Sequence, residues 1–387
     1  MKVACVGGGP ASLYFSILMK RMHRSHDVTI YERNPAGSTY GWGVTFWDEL
    51  LNGLHAADPE SGRAISEGSV HWDNWVTHVG DHTTVTVEHG DDGFGICRRK
   101  LLGILAERAE SLGVRIEYER EITDEDELAD AELVIAGDGV NSVLRQRHAD
   151  HFGTEVAVGQ NTYVWLGTTK VFDAFTFAFV DTPHGWIWCY GYKFSTDHST
   201  CVIECSPATW QGLGLHESNE ADSLALLEKL FADILDGHPL LGREQGDGTA
   251  HWLNFRTLTN QTWYRDNLVL LGDAAHTTHY SVGAGTALAL GDAAYLADTL
   301  HRHEELQPAL AHYDQGRKAA IRAPQRAAAN SARWFESLPR YIDRPPQQLV
   351  ALLGQRHSRV LPHISPRLFY RMDQVAEKFG GLRWFRR

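Results

Sequence analysis

The chain has 387 residues, of which 43% are hydrophobic, so it is long enough for roughly two to three domains with substantial cores. Its formal net charge of −13 argues against a nucleic-acid-binding protein, because affinity for nucleic acid comes from neutralising phosphates with Lys and Arg. No apolar run of about 18 residues occurs, so we expect no membrane-spanning helix and no membrane partner.

The five cysteines are scattered along the chain without a CxxC pair, which favours reduced, mostly buried thiols and a cytoplasmic protein. Cys201 and Cys205 are four residues apart in a β-like run, a spacing that does not favour a shared metal ion. We therefore expect no bound metal. The chain opens directly into an apolar strand, so we expect no cleavable signal.

The first elements predict a strand–helix–strand unit. Lys2–Val6 is an apolar strand, Ser12–Met22 a helix and Asp27–Tyr31 a second strand. Between the first two, Gly7 permits a tight turn and Gly9 lets the backbone approach a pyrophosphate at the helix N-terminus.

Two further residues decide how this glycine-rich turn is interpreted. Glu32 ends the second strand, about 20 residues beyond the glycines, where a carboxylate accepts hydrogen bonds from a ribose. Ser12 stands in place of a third glycine and is small enough for close helix–strand packing. The turn alone is also compatible with any α/β domain, but Glu32 and the later motifs favour a dinucleotide site.

The middle of the first half supplies two more candidates. Arg98, Leu101 and Leu105 fit the pattern Arg-x-x-Leu-x-x-x-Leu at the start of a helix, where Arg98 is placed to hold cofactor oxygens. Leu133–Ala136 is a buried strand, and the glycines of Gly137-Asp138-Gly139 permit a sharp turn after it. We expect Asp138 to organise this loop and to meet a nicotinamide donor rather than to perform chemistry.

From Thr154 to Cys205 the pattern changes to alternating runs that predict antiparallel strands with one aromatic face. The aromatic face of such a sheet either forms one wall of a substrate pocket or belongs to a well-packed core. Glu217–Leu235 then predicts an amphipathic helix, and His251–Thr259 a further strand.

The last buried strand, Asn267–Leu271, ends at Gly272-Asp273. The Asp273 carboxylate is suited to accept a hydrogen bond from a hydroxyl of the cofactor. Gly283-Ala284-Gly285 then opens a helix whose N-terminus, with its positive dipole, favours an anionic group.

The C-terminal segment 354–387 has eight basic and two acidic side chains on an otherwise acidic chain. It either binds the phosphates of a nucleotide-bearing substrate, for which Arg367 and Arg371 are the candidates, or forms a solvated face that docks on the acidic body. Pro345-Pro346 predicts a break before the last helices.

Together these motifs resemble the group A (single-component) FAD-dependent aromatic monooxygenases. More narrowly, the chain is similar to the flavin domains of salicyloyl-CoA 5-hydroxylases and anthraniloyl-CoA monooxygenases, whose sister enzymes include an indolic hydroxylase. The resemblance covers about residues 1–336. It is carried by Tyr40-Gly41-Trp42-Gly43-Val44, Trp165-Leu166-Gly167-Thr168, 172–179, Pro183-His184-Gly185-Trp186, 272–285 and 330–336. Tyr280 stands where most members of the wider family have Pro; the CoA-type branch also has an aromatic residue there, so Tyr280 favours the narrower resemblance. Ala287 stands where many members have Asn.

The resemblance implies an α/β fold like that of p-hydroxybenzoate hydroxylase. A Rossmann-like FAD-binding domain has an inserted antiparallel β-sheet substrate domain and a helical C-terminal tail. We expect the FAD domain in 1–72, 93–152 and 263–335, the substrate domain in 73–92 and 153–262, and the basic helical segment in 336–387.

The implied activity is hydroxylation of an aromatic acyl-CoA thioester through an FAD C4a-hydroperoxide, with NADH or NADPH as reductant and O₂ as co-substrate. A monomer or homodimer is expected. The implied cofactor-binding residues are Gly7, Gly9, Pro10, Ala11, Ser12, Glu32, Arg33, Arg98, Asp138, Asp273, Gly283, Gly285 and Thr286. Tyr280, His279 and His276 are the candidates for catalysis, and Trp42, Val44, Trp165, Trp188, Arg367 and Arg371 those for substrate binding.

Two alternatives remain open at this point. One is a monooxygenase or epoxidase of another ring, such as a different aryl-CoA on a tropolone-forming route or an indolic intermediate. The other is a flavin-binding protein that no longer oxygenates, which the intact Gly7, Glu32, Asp273 and Gly283 disfavour.

Overall fold

The computed structural model describes residues 1–39, 41–80, 83–88, 92–242 and 251–378. Tyr40 of the family motif and Arg383, Arg386 and Arg387 of the predicted basic segment lie outside these residues, as does the side chain of Lys378.

Seventeen strands occur in this part of the chain. They are β1 (Lys2–Val6), β2 (Asp27–Glu32), β3 (Gly43–Phe46), β4 (Val70–Trp72), β5 (Trp75–Val79), β6 (Thr83–Val87), β7 (Gly93–Cys97), β8 (Arg115–Tyr118), β9 (Leu133–Ala136), β10 (Glu155–Thr168), β11 (Phe175–Thr182), β12 (Gly185–Lys193), β13 (Ser199–Cys205), β14 (Leu240–Leu241), β15 (Leu253–Thr259), β16 (Tyr264–Arg265) and β17 (Leu268–Leu270).

Thirteen α-helices accompany them in the same described residues. They are α1 (Pro10–Met22), α2 (Asp48–Ala57), α3 (Pro59–Glu67), α4 (Arg98–Ser111), α5 (Val143–Arg147), α6 (Ala149–Phe152), α7 (Pro207–Gly212), α8 (Glu220–Leu230), α9 (Ala232–Leu235), α10 (Gly285–Arg302), α11 (Leu306–Glu336), α12 (Pro346–Gly354) and α13 (Pro366–Lys378).

The first sheet is the Rossmann-like part of an α/β fold. Its strand order is β16-β17-β9-β1-β2-β8, and every pair is parallel except β16–β17. The inner strands are continuous apolar runs because helices such as α1 and α10 cover the sheet. The carboxyl ends of β1, β2, β9 and β17 therefore meet at one edge, where this class of sheet binds its ligands.

The second sheet has eight strands in the order β14-β10-β13-β12-β11-β5-β6, with β15 also paired to β10. Most pairs are antiparallel, as the alternating pattern predicts, but β5 pairs in parallel with β11. A third, small antiparallel sheet has the order β3-β7-β4.

The two faces of the second sheet differ in chemistry, since successive side chains of a strand point to opposite sides. One face is aromatic and packs against the C-terminal helices through residues such as Trp334, Phe335 and Leu352. The opposite face is aliphatic and thiol-bearing, with Ile187, Cys189 and Cys201 among its residues, and helices α8 and α9 cover it.

One predicted helix differs in detail from the structure, and one predicted break agrees with it. The segment 217–235 is not continuous, because the chain leaves helical geometry at Phe231 and α8 and α9 result. Helix α12 begins at Pro346, where the Pro-Pro pair predicts the break. No described helix is both long and apolar enough to cross a membrane.

Candidate functional site

A cavity of about 770 Å³ lies where the carboxyl edge of the parallel sheet faces the aromatic face of the second sheet. Three groups of residues line it. The cofactor-type segments contribute Gly9, Pro10, Ala11, Arg98, Gly137, Gly139, Asp273, Gly283, Gly285 and Thr286. The aromatic face of the second sheet contributes Tyr163, Trp165, Phe175, Phe177, Tyr190 and Tyr192, and Tyr280 joins them from the segment between Asp273 and α10. The C-terminal segment contributes Gly354, Arg356 and His357.

The loop after β1 is fixed by its backbone rather than by side chains. Gly7 has a φ of +95°, and a Cβ there would lie 2.6 Å from the carbonyl oxygen of Gly137. A Cβ on Gly9 would meet only that oxygen, at 3.8 Å, so protein packing alone does not require a glycine there. Gly9 is the N-cap of α1 and has no side-chain cap, which leaves N–H groups of this helix start beside the cavity. Such a site fits a pyrophosphate.

Glu32 holds this loop in place. Its carboxylate accepts hydrogen bonds from the backbone N–H of Gly8 at 2.6 Å and from the backbone and side-chain N–H groups of Asn34 at 2.8 and 2.6 Å. It is not among the residues that line the cavity. Arg33 is also outside the cavity lining; it is exposed and faces Glu121 at 4.0 Å.

Arg98 and Asp273 form a charged pair of groups in the cavity wall. Burial lowers the pKa of Arg98, and the charge of Asp273 opposes this. Burial also raises the pKa of Asp273, and the charges of Arg98 and His276 counteract this rise. Asp273 lies inside the protein, but its side chain is exposed to the cavity. The Nε of Arg98 is buried and has no hydrogen-bond partner among the described residues. Together they offer a donor and an acceptor to a polar ligand such as the ribityl-phosphate part of FAD.

Asp138 and Ser12 lie behind the cavity wall. The Asp138 carboxylate accepts a hydrogen bond from the backbone N–H of Val143 at 2.8 Å, and burial raises its pKa. Ser12 is fully buried against Gly137, where a Cβ would lie 2.1 Å from the Ser12 hydroxyl. These two residues therefore order the loops, whereas Gly137 and Gly139 face the ligand space.

Of the three residues predicted for catalysis, Tyr280 lines the cavity and the two histidines do not. His276 is buried, pairs with Asp292 at 2.8 Å and stacks on Trp263. His279 pairs with the hydroxyl of Ser281 at 2.8 Å, and burial lowers its pKa to about 3. A histidine with that pKa is a poor proton acceptor near neutral pH.

Of the four aromatic or aliphatic residues predicted to bind substrate, two line the cavity and two do not. Val44 and Trp165 line the cavity. Trp42 packs against Gly167 instead, and Trp188 is buried behind the wall, where its indole N–H donates to the Tyr190 hydroxyl at 3.2 Å.

The two C-terminal arginines predicted to bind substrate are not part of the cavity lining. Arg367 and Arg371 lie one turn apart on α13 and are exposed. Arg356 and His357, which follow α12, line the cavity instead. Arg356 donates to the backbone carbonyls of Leu353 and Ser281 and lies 5.5 Å from the centre of the Phe177 ring.

Sequence reasoning missed Glu204, a carboxylate only 1% exposed on β13. It accepts hydrogen bonds from Asn161 at 2.7 Å, from Tyr190 at 2.8 Å and from Tyr280 at 2.6 Å. A single acidic residue within the apolar run of β13, on the same face as Val202, is the signal that would have found it.

Comparison with known proteins identifies the family of this chain. The FAD binding domain family matches residues 95–328. The salicyloyl-CoA 5-hydroxylase of a Streptomyces sp is 38% identical over 361 residues, which are 90% of this chain and 68% of that protein. The 3-hydroxy-4-methyl-anthranilyl-[aryl-carrier protein] 5-monooxygenase of Streptosporangium sibiricum is 32% identical over 360 residues, 93% of this chain and 95% of that protein.

Solved structures show the same fold at low sequence identity. The oxygenase of 2-methyl-3-hydroxypyridine-5-carboxylic acid superposes with a TM-score of 0.72 at 18% identity, covering 92% of this chain and 96% of that one. PqsL of P. aeruginosa, in complex with 2-aminobenzoylacetate, superposes with a TM-score of 0.68 at 18% identity, covering 88% and 98%. With its parallel sheet, glycine loops and aromatic wall, the chain belongs to the FAD binding domain family and is an FAD-dependent aromatic monooxygenase.

Proposed function

We propose that this enzyme hydroxylates the ring of an aromatic acyl thioester, of the salicyloyl-CoA type, with NADH or NADPH and O₂. One observation carries the proposal: a single cavity joins the cofactor-type loops to a compartment walled by aromatic rings. A compartment walled by aromatic rings suits a benzene-like ring.

Bound FAD would supply the redox chemistry, taking a hydride from the nicotinamide and transferring one oxygen atom of O₂ to the ring. The residues proposed to hold it are the N-terminus of α1 with Gly9–Ala11, the Arg98–Asp273 pair and the N-terminus of α10 at Gly285 and Thr286. Glu32 and Gly7 would act by shaping the loop around the pyrophosphate. We propose the same three-part FAD domain and inserted substrate domain that the sequence predicts.

The thioester assignment rests on relatives and on the position of one cation. One relative is named for a CoA thioester and another for an aryl-carrier protein. Arg356 lies in the wall beside Phe177, where a guanidinium can hold the carbonyl of an acyl group that enters with its ring. Arg367 and Arg371 on the exposed face of α13 remain candidates for the phosphates of CoA or the acidic surface of a carrier protein.

The test is NADH consumption by the FAD-loaded protein in air, with salicyloyl-CoA and free salicylate side by side and products identified by mass. We expect a gain of one oxygen on the thioester alone. Hydroxylation of the free acid alone would refute the thioester assignment. NADH oxidation that no aromatic thioester or acid stimulates, with no oxygen-bearing product, would refute the proposed reaction on this substrate class.

A further inference from the structure

Two groups of histidines lie at the C-terminal end of α10, and none of their members lines the cavity. In one group His23 contacts His26 and His301, with ring centroids 5.4 and 5.8 Å apart. In the other, His303 and His312 have their centroids 5.3 Å apart and two ring nitrogens brought together: Nε2 of His303 lies 3.0 Å from Nδ1 of His312. This second pair therefore offers two nitrogen ligands to one point in space.

The hairpin of α10 and α11 holds this pair of rings in place. His303 is the C-cap of α10, and its backbone N–H donates to the carbonyl of Thr299 at 3.2 Å. His312 lies in the second turn of α11, and its ring meets the edge of Tyr295 on α10 with 5.9 Å between centroids. Residues 303–305 are the whole connection between the two helices. The two imidazoles are therefore neighbours whenever the hairpin is folded.

The spacing of the two nitrogens suits a shared metal ion. Bonds from zinc to imidazole nitrogen are about 2.0–2.1 Å long, so two of them at about 90–110° place their nitrogens about 2.9–3.4 Å apart. The observed 3.0 Å is within that range. Without an ion, one of the two nitrogens carries a hydrogen and the other accepts it. An ion takes the place of that hydrogen and is bound by both lone pairs.

We infer that His303 and His312 form a binding site for a transition-metal ion that prefers imidazole, such as Zn²⁺, Ni²⁺ or Cu²⁺. The inference goes beyond the proposed function and does not depend on it. No group of three or more suitable side chains occurs among the described residues, so water would complete the coordination. The expectation that no metal is bound rests on the spacing of cysteines, whereas this pair forms only where two helices meet.

The site is separate from the cavity. Helix α10 has 18 residues and is therefore about 27 Å long, and its first residues, Gly285 and Thr286, line the cavity at the other end. An ion held by His303 and His312 would touch neither FAD nor the substrate. It would link α10 to α11 and stabilise the folded hairpin, because it binds the folded state alone. We expect the affinity for FAD to stay unchanged.

The test is isothermal titration calorimetry of the FAD-loaded protein, freed of metal, with Zn²⁺ and separately with Cu²⁺. We expect the first equivalent to bind at least about tenfold more tightly than any further ions, because the second imidazole joins the ion within the same molecule. His303→Ala and His312→Ala should each weaken this first step at least about tenfold. The matched control His301→Ala removes an exposed histidine from the end of the same helix and should leave the step unchanged.

Two further measurements identify the ligands. Electron paramagnetic resonance with one equivalent of Cu²⁺ should show coupling to two imidazole nitrogens in the wild type, and this signal should be lost in the His303 and His312 variants. Acidification to about pH 5 should release the ion, because a protonated imidazole has no lone pair for a metal. Flavin absorbance shows that each variant is folded and loaded with FAD.

Three results overturn the inference. One is binding of Zn²⁺ and Cu²⁺ without a distinct first equivalent. Another is a first equivalent that persists unchanged in His303→Ala or in His312→Ala. The third is an equal loss in His301→Ala, which would place the ion elsewhere among the histidines. Should one of the two ligand variants fail to fold, the other still decides, since each removes one of only two protein ligands. None of these results bears on the proposed hydroxylation.

Discussion

Gly7 and Gly9 are two residues apart, yet the structure predicts opposite consequences for the same substitution. Gly7→Ala places a Cβ at a φ of +95° and within 2.6–2.8 Å of backbone atoms of Gly137 and Asp138. The backbone strain costs about 1–2 kcal/mol and the overlap with a neighbouring loop about 1–3 kcal/mol more. We therefore expect the free energy of unfolding to fall by about 2–5 kcal/mol.

Gly9→Ala has no such obstacle, since its φ is −71° and the nearest non-adjacent atom would be 3.8 Å from the new Cβ. Replacing this N-cap glycine by alanine costs about 1 kcal/mol or less. The new methyl group would, however, stand where the proposed pyrophosphate approaches the start of α1. We expect the dissociation constant for FAD to rise at least tenfold, about 1.4 kcal/mol.

Thermal denaturation over a series of FAD concentrations separates the two effects. A ligand that binds only the folded state raises the midpoint according to its affinity, and extrapolation to zero FAD gives the intrinsic stability. For Gly9→Ala the curve should begin near the wild-type value and rise only at higher FAD concentration. For Gly7→Ala it should lie lower throughout. The reasoning is refuted if Gly9→Ala binds FAD as tightly as the wild type, or if both variants lose the same intrinsic stability.

Two further predictions concern groups outside the cavity. Asp58 is fully buried and accepts hydrogen bonds from Arg108 at 2.9 and 3.0 Å, so Asp58→Asn should lower the free energy of unfolding by about 3 kcal/mol in urea denaturation. The control variant Glu60→Gln removes the charge of an exposed partner of Arg108 and should lower the free energy of unfolding by less than about 1 kcal/mol. Equal losses of stability in the Asp58 and Glu60 variants would contradict the argument. Burial lowers the pKa of folded His279 from 6.5 to about 3, so between these values the unfolded chain takes up a proton that the folded chain does not. As the pH is lowered below 6.5, the free energy of unfolding should therefore decrease by at most about 1.4 kcal/mol per pH unit. His279→Asn should make this decrease smaller. If the free energy of unfolding of the wild type and of the variant depends on pH in the same way, His279 does not titrate as described.

The glycine-anchored turns were accessible to sequence reasoning because each follows directly on a buried strand. Their chemistry is local, so the α/β class, the FAD family and the loops at Gly9 and Asp273 could be predicted from short segments. The helix start at Gly285 is local in the same sense.

The rest depends on contacts between distant segments. The parallel pairing of β5 with β11 joins residues about a hundred positions apart, and no local pattern specifies it. The hydrogen-bond donors to Glu204 lie on β10, on β12 and after β17, so these hydrogen bonds can be recognised only in the folded chain. His276 likewise is a cavity candidate by its position in the sequence, whereas its neighbour across the fold is Asp292.

The strand order of the parallel sheet has a consequence for biosynthesis. Within this sheet the central strand β1 is made before every other strand, and β17, two places away, is made last. Chains emerge from the ribosome at about 5–20 residues per second, so the glycine loop after β1 precedes Asp273 and the start of α10 by tens of seconds at the slower rate. We therefore expect FAD to be captured only after the start of α10 at Gly285 has emerged. Until then, the first strands present an unfinished sheet edge, the stage at which a nascent chain of this fold is most exposed to aggregation.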